Sequence, residues 1–251
     1  MKMDRAMISS ATKEASERWL SDFPKVSALD RDPRGLPIPQ NVTVDPKNGK
    51  PVFAVRDAER EIELLYSKKC SVTGTNLDSN DVWFVTTPDL AFVPFGAIQD
   101  APICGEAKEF TLRVCPYFGL SNYTRLTDGQ AQAIIPALSA TIPSDHRTPT
   151  EFVAVQVTGF QVRFTRQGLR YYPSRHYRKI ELWSKQIRQR VVEGREVRSA
   201  IEEGLRKGLQ IPPDQWPAWS RSTLDGSLNG CWPWDQSEEK EQLIQVARSA
   251  R

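Results

Sequence analysis

Histidine is nearly absent from this chain: His146 and His176 are the only two among 251 residues. Imidazole chemistry therefore has few places to occur. No stretch of the form GxxxxGK[ST], GxGxxG, GxSxG or HExxH is present, which removes the phosphate loop, the dinucleotide fingerprint, the nucleophile elbow and the helical zinc-protease pair. A cysteine nucleophile served by His176 has no supporting local pattern, and His176 reads instead as part of a basic loop. Long apolar runs are missing too. None approaches the ~18–20 residues that span a bilayer, so no membrane partner is expected. The opening residues, MKMDRAMISSATKEASERW, mix charges without an apolar stretch; they do not read as a secretory signal, and a cytoplasmic protein is expected. Cysteine is sparse. Cys70, Cys104, Cys115 and Cys231 suit reduced thiols or metal ligands better than a disulfide framework.

Proline is plentiful, and 18 of them with a mean hydropathy of −0.50 predict long connections. An apolar fraction of 39% is ordinary for a folded chain of this length, which can bury a core without cross-links. Net charge is only +3, yet it is unevenly spread: from Arg163 to Arg190 nine basic residues face the single acid Glu181, a local +8 that leaves −5 for the rest. Such asymmetry points to an anionic partner. Tyr171, Tyr172, Tyr177 and Trp183 interleave with those charges, a composition suited to phosphate contacts combined with base stacking.

Along the chain, the apolar spacing of Ala15, Trp19 and Leu20 predicts a helix over 12–22. Prolines 33, 37, 39 and 46 then enforce an extended path, and Asn48-Gly49 turns the chain into a strand over 52–55. Asp57 is placed to cap a helix running to about Ser67. The runs 82–86 and 90–95, separated by Pro88-Asp89, read as a hairpin, and Gly105 to Val114 as a helix stopped by Pro116. Residues 130–138 suggest a short helix. Strands are expected from Phe152, Phe160, Leu169 and Lys179, forming one small antiparallel sheet. A helix kinked at Gly194 should cover 184–209 and bury Ile187, Val191, Val197, Ile201 and Leu205. Trp216, Trp219, Trp232 and Trp234 lie in a connection read as a clamp over the core, the alternative being anchors for a partner protein, and Ser237 should cap a last helix. The organisation is thus an N-terminal region 1–119, a linker 120–150 and a C-terminal region 151–251, in an α+β fold.

The order of turn, hairpin and helix around Cys70 and Cys104 is the layout of a treble-clef zinc finger, in which one ligand pair sits on the turn and the other at i, i+3 on the helix. The chain also resembles a family of phage and bacterial hypothetical proteins. These carry an RGxPVP-type start, a CxxCG turn, a PPxHxxCAxxAxxxCPFL segment and a helix of the form EVxxSIxxGL. Here the corresponding stretches are Arg34 to Pro39, Cys70 to Gly74, Ala101 to Ala107, Val114 to Phe118, and Glu196-Val197 through Ile201 to Gly204-Leu205. The ligand positions implied by that resemblance are Cys70, Thr73, Cys104 and Ala107, so two of four ligands are replaced. Cys115 lies too far along the helix, about 16 Å from Cys104 at 1.5 Å per residue, to replace them. The module is therefore expected to be a degenerate finger without zinc or another cofactor, held by packing of Trp83, Phe84, Phe92, Phe110 and Val114.

The charge pattern leads to a binding or accessory protein, and the resemblance implies that it is of phage or mobile-element type in a bacterial host. The expected partner is nucleic acid or a nucleic-acid-handling host complex, or alternatively an acidic host protein; inhibition of a host defence fits the same profile. The contacts are assigned to Arg163, Arg166, Arg170, Tyr171, Tyr172, Arg175, Arg178, Lys179, Lys185, Arg188 and Arg190. The alternative is a metal-dependent nuclease or other hydrolase built on Asp78, Asp81, Asp89 and Asp100, which requires those carboxylates to cluster.

Overall fold

Residues 152–155, Phe-Val-Ala-Val, are apolar at successive positions, and the computed structural model buries all of them. A strand without alternation must be covered on both faces, and that requirement organises the chain. The structure describes residues 5–92, 96–115, 118, 149–165, 168–209, 230–236 and 238–249. Its fold class is α+β with small antiparallel sheets. β1 (Val42–Val44) and β2 (Pro51–Arg56) form a hairpin through the Asn48-Gly49 turn, where Gly49 has φ +68°. Asp57 accepts from Arg60 N and caps α3 (Ala58–Tyr66), as its sequence predicts. The main sheet is four-stranded and joins β3 (Trp83–Thr86), β4 (Glu151–Gln156), β7 (Lys179–Ser184) and β8 (Ile187–Glu193) in that order, all antiparallel. The remaining strands, β5 (Phe160–Thr165) and β6 (Gly168–Pro173), pair only with each other among the described residues. Because β3 precedes residue 119 and pairs with β4, the two halves of the chain share one sheet. Of the expected linker only Pro149 and Thr150 are among the described residues; the helix suggested over 130–138 is not.

One face of the sheet is covered by α5 (Gly105–Val114), whose span matches its apolar spacing. Register places Val85, Ala154 and Glu181 on that face in adjacent strands. Glu181 is buried there and accepts from Lys108 Nζ at 2.8 Å and from Trp183 Nε1 at 3.1 Å. Lys108 Nζ also sits 4.3 Å from the Trp83 ring centre. Arg113, Glu109 and Arg188 complete the cluster. Burial would raise the Glu109 carboxyl, but Lys108, Arg113 and Arg188 outweigh it and hold it below its ordinary range. Above α5 lie α1 (Arg5–Trp19), a 3-10 turn (Leu20–Asp22) and α2 (Pro24–Ser27). Glu106 Oε1 accepts from Lys25 N and Val26 N, so α5 caps α2. Phe110 and Val114 therefore pack with Leu20, Val26 and Leu29, whereas Trp83, Phe84 and Phe92 belong to the main core.

The other face carries Phe84, against which Phe160 and Tyr171 stack edgewise or tilted at 5.1 and 5.7 Å. Trp232 and Trp234 lie parallel, 4.9 Å apart, and both meet Phe160 at 5.9 Å, so this part of the Trp-rich connection is a clamp on the core. Trp216, Trp219 and Ser237 are outside the described residues. α4 (Pro88–Phe92) and α6 (Arg195–Leu209) pack on each other and on this face, with Val197 and Ile201 buried; α7 (Glu238–Ser249) lies on α3 and β5. A carboxylate ties the two faces' connections together. Glu61, 1% exposed, accepts from Tyr171 Oη at 2.5 Å, Arg56 at 2.9 Å and Asn41 Nδ2 at 3.1 Å. Among the described residues no helix is long and apolar enough to cross a membrane.

Three expectations are corrected. Residues 88–92 form α4, not a second hairpin strand: Pro88 and Asp89 in the first turn are helix-start chemistry, and β3 pairs with β4 instead. Residues 187–193 form β8, not helix. The Lys185-Gln186 pair takes φ +48° and +64°, the two left-handed centres of a hairpin turn that returns the chain beside β7. Consequently Ile187 and Val191 are 63% and 40% exposed rather than in the core, and the helix begins only after Gly194. Finally, the strands from Phe152 and Lys179 share a sheet, but those from Phe160 and Leu169 do not join it.

The buried Lys108–Glu181 pair makes a clear prediction. Glu181→Ala should cost about 3–5 kcal/mol, because it leaves the buried Lys108 ammonium with only the less buried Glu109 and leaves Trp183 Nε1 without its acceptor, while Lys108→Met with Glu181→Leu should recover most of that loss. Urea unfolding of the three proteins measures both; a single-variant cost below about 1 kcal/mol would remove the pair from the structural core.

Candidate functional site

The four finger positions meet as their spacing requires. Cys70 and Cys104 are 0% and 1% exposed, and Thr73 and Ala107 are buried beside them. Cys70 Sγ accepts from Thr73 N and Cys104 N, each at 3.4 Å. Thr73 Oγ1 lies 3.9 Å from Cys104 Sγ. The turn is further tied to the chain preceding α5 by Ser71 Oγ donating to Pro102 O at 3.0 Å. Donation from the Cys104 thiol, aided by the Thr73 and Cys104 amides, outweighs burial and lowers Cys70 to about 6. The same donation and burial raise Cys104 far above the thiol range. Two sulfurs and a threonine hydroxyl are not the donor set of tetrahedral zinc, since Ala107 has no donor and a hydroxyl is a poor ligand beside thiolates. The residues do not fit that ion.

The aspartates of the hydrolase alternative are used locally. Asp81 accepts from Trp83 Nε1 at 2.8 Å and Gly105 N at 3.0 Å, Asp78 accepts from Asn80 N, Asp89 lies in the first turn of α4, and Asp100 lies near the Arg56 and Arg170 guanidiniums. A Cβ on Gly105 would stand 2.6 Å from Asp81 Oδ1, so this close approach requires glycine. Among the described residues no three His, Cys, Asp or Glu side chains gather where they could hold a metal.

The basic segment divides by role. Arg175 is 1% exposed and donates to Leu90 O and Gly96 O at 3.1 and 2.8 Å and to Pro173 O at 2.8 Å. It caps the carbonyl end of α4, together with Tyr177 Oη, which donates to Ala91 O at 2.6 Å. A guanidinium suits orphan carbonyls at a helix C-terminus. Burial lowers Arg175 and raises Tyr177 from their ordinary values. Arg170 and Tyr171 are also buried, Arg170 donating to Leu169 O. Burial, then the neighbouring Arg56, lowers Arg170. Lys179 pairs with Glu193, Arg188 with Glu109 and Glu181, and Arg190 with Glu196. Arg163 is exposed and lies over the half-buried Tyr172 ring at 5.5 Å. Lys185 is exposed in the β7–β8 turn; Arg166 is outside the described residues. Arg170, Tyr171 and Arg175 are thus part of the interior, and the exposed cations do not share one face.

What the fold does assemble is a cleft of about 310 Å³ between the loop 173–178 and the start of α6. Tyr177, Val197 and Ile201 form its apolar floor; Arg175 closes one side; His176, Arg195 and Arg198 stand at its mouth. Every charged side chain that lines it is an arginine. Arg198 bonds Glu202 at 2.9 Å, whereas Arg195 and the adjacent Arg178 make no ion pair among the described residues. Gly194, φ +58°, joins β8 to α6, and the space beside its Cα is open. Sequence reasoning misses Arg195 and Arg198 because the apolar spacing on both sides of Gly194 reads as helix, so the glycine is taken as a kink rather than as the end of a strand. The signal that could have found them is Gly194 followed by arginines at i and i+3.

The thiol pair generates a pH prediction. Cys70 is lowered on folding, so its contribution is fully present above the unfolded thiol value of roughly 8.5 and is lost as pH falls through about 6; Cys104, raised, acts oppositely above that unfolded value. Under reducing conditions the wild-type urea midpoint should rise between pH 6 and 8.5 relative to Cys70→Ser. Parallel profiles would show that Cys70 is not ionised in the fold. Comparison of the chain with models of protein families, with curated proteins and with solved structures gives no match, so the chemistry of the cleft and its rim carries the functional argument.

Proposed function

We propose that this chain is a nucleic-acid-binding accessory protein that works through the basic end of its main sheet. The observation that carries the reading is the cleft whose charged lining is all arginine; Arg195 in that lining, and Arg178 next in the chain to its Tyr177, are exposed and make no ion pair among the described residues. The other cations of the 163–190 segment are largely engaged by Glu109, Glu181, Glu193 and Glu196 or by carbonyls. Free arginines beside an apolar, aromatic-floored cleft favour a backbone of phosphates with bases attached over a carboxylate-bearing peptide, because both components then find a complement. The resemblance to phage and bacterial proteins supports a bacterial host as the setting, and a nucleic-acid-handling host complex as the assembly served.

Fluorescence anisotropy with a single-stranded oligonucleotide tests this. Arg178→Glu with Arg195→Glu should leave folding intact, since surface charge changes typically move stability by only about 0.5 kcal/mol each. Affinity should fall, and the slope of log K against log salt should flatten by roughly 0.7 for each single-strand phosphate that the variant no longer neutralises. Lys185→Glu, at the opposite end of β7, should change the slope least. If the double variant binds like wild type, or if the wild type binds only protein from nuclease-treated lysate, the nucleic-acid reading fails.

A further inference from the structure

The geometry points to the cleft between the loop 173–178 and the start of α6 as a pocket for one nucleotide unit: a phosphate held at its mouth and a base laid on its floor. This deepens, and rests on, the nucleic-acid reading. A volume of about 310 Å³ lies at the small end of ligand pockets, about 300–1,000 Å³, and so suits a single unit rather than a stack of bases. The two ends of the cleft differ chemically. Val197, Ile201 and Tyr177, 4%, 2% and 3% exposed, make the bottom of the cleft apolar, so only a ligand with an apolar part finds a complement there. The mouth carries Arg195, Arg198 and His176, and a planar guanidinium both forks onto phosphate oxygens and stacks on a base. The start of a helix adds donors of the same sign. Val197 N donates to Gly194 O at 3.3 Å, while Gly194 has no side-chain oxygen to cap the Arg195 and Glu196 N–H groups, and the space beside it is open.

The loop is rigid for a physical reason. Arg175 and Tyr177 direct their donors to the Leu90, Ala91, Gly96 and Pro173 carbonyls, so His176 between them is presented from a fixed backbone. Arg175 is therefore a positioning residue; Arg195, with Arg198, is the phosphate contact.

Calorimetric titration of the intact protein with a nucleoside monophosphate, the corresponding nucleoside and inorganic phosphate separates the components. The monophosphate should saturate one site per chain and bind at least tenfold tighter than either fragment. Arg195→Glu should weaken it at least tenfold, Arg198→Ala less so, and Lys185→Glu not at all. Inorganic phosphate binding as tightly as the nucleotide would overturn the base pocket, and an Arg195→Glu protein of wild-type affinity would overturn the site. Should oligonucleotides bind with a salt slope while the monophosphate never saturates, the pocket falls and the nucleic-acid reading stands. Should the monophosphate saturate while oligonucleotides do not bind, the pocket stands and that reading falls.

Discussion

Burial of β4 on both faces is the constraint from which the rest of the structure follows. Four successive apolar side chains in a strand cannot be left half in water: each fully buried residue of this kind is worth about 1.5–3 kcal/mol. The chain must therefore supply two layers of cover, and each layer is keyed by polar groups that admit few alternatives. On the α5 side the key is Glu181 with Lys108 and Trp183 Nε1. On the other side it is Glu61, reached by Tyr171, Arg56 and Asn41. A buried carboxylate left unpaired is strongly destabilising, whereas the same groups in register are satisfied. Apolar burial sets how much cover is needed, and these two carboxylates set the position at which it sits.

The cleft is a by-product of that cover. α6 has to begin where β8 ends, because Val197 and Ile201 are wanted over the sheet, and Gly194 makes the change of direction at positive φ. The loop 173–178 has to meet α4, whose carbonyl end takes Arg175 and Tyr177. Two segments approach there, and the charged side chains they turn to the cleft are arginines, with Glu196 outside its lining. The same segment that reads as one cationic stripe is thereby sorted: some arginines become internal fasteners, others ion-pair partners, and those at the end of the sheet face solvent.

Much of the fold was legible because local chemistry and tertiary demand agreed. Asp57 before an acidic first turn, Gly105 to Val114 with its apolar spacing, and the β-rich runs at 152, 160, 169 and 179 all form what their patterns predict. Where two periods compete, the pattern misleads. Ile187 and Val191 are four apart, as on a helix face, yet their segment is an edge strand whose hairpin turn is made by Lys185 and Gln186, residues with no turn signature. Charge was the least legible property. Nothing in the sequence distinguishes Arg175, which meets helix-end carbonyls, from Arg178, which meets water; that difference arises only when α4 and β6 are brought together. Arg195 was hidden by the same misleading strand, so the error in secondary structure became an error in the site.

The cysteine turn shows the opposite case, in which local spacing brings two thiols together although the hairpin expected between them is not formed. Cys70 and Cys104 come together although Thr73 and Ala107 cannot ligate, and the reason lies in the bonds that a finger needs even before metal arrives. Two amides point at Cys70 Sγ, Cys70 N donates to Thr75 O at 2.8 Å, and Ser71 bonds Pro102 O through both its amide and its hydroxyl. Those interactions orient the turn against α5 without a cation. Isolated amide–sulfur bonds are weak, so they could not hold a free-standing finger of a few dozen residues, which depends on metal for its folding free energy. Here β3 pairs with β4, and α5 rests on the main sheet through Lys108 and Glu181. Once a larger core fixes the strand and the helix from outside, the metal's contribution to stability is redundant and its ligands are free to change. The pair of thiols is held in that corner by these bonds and by burial against the main core.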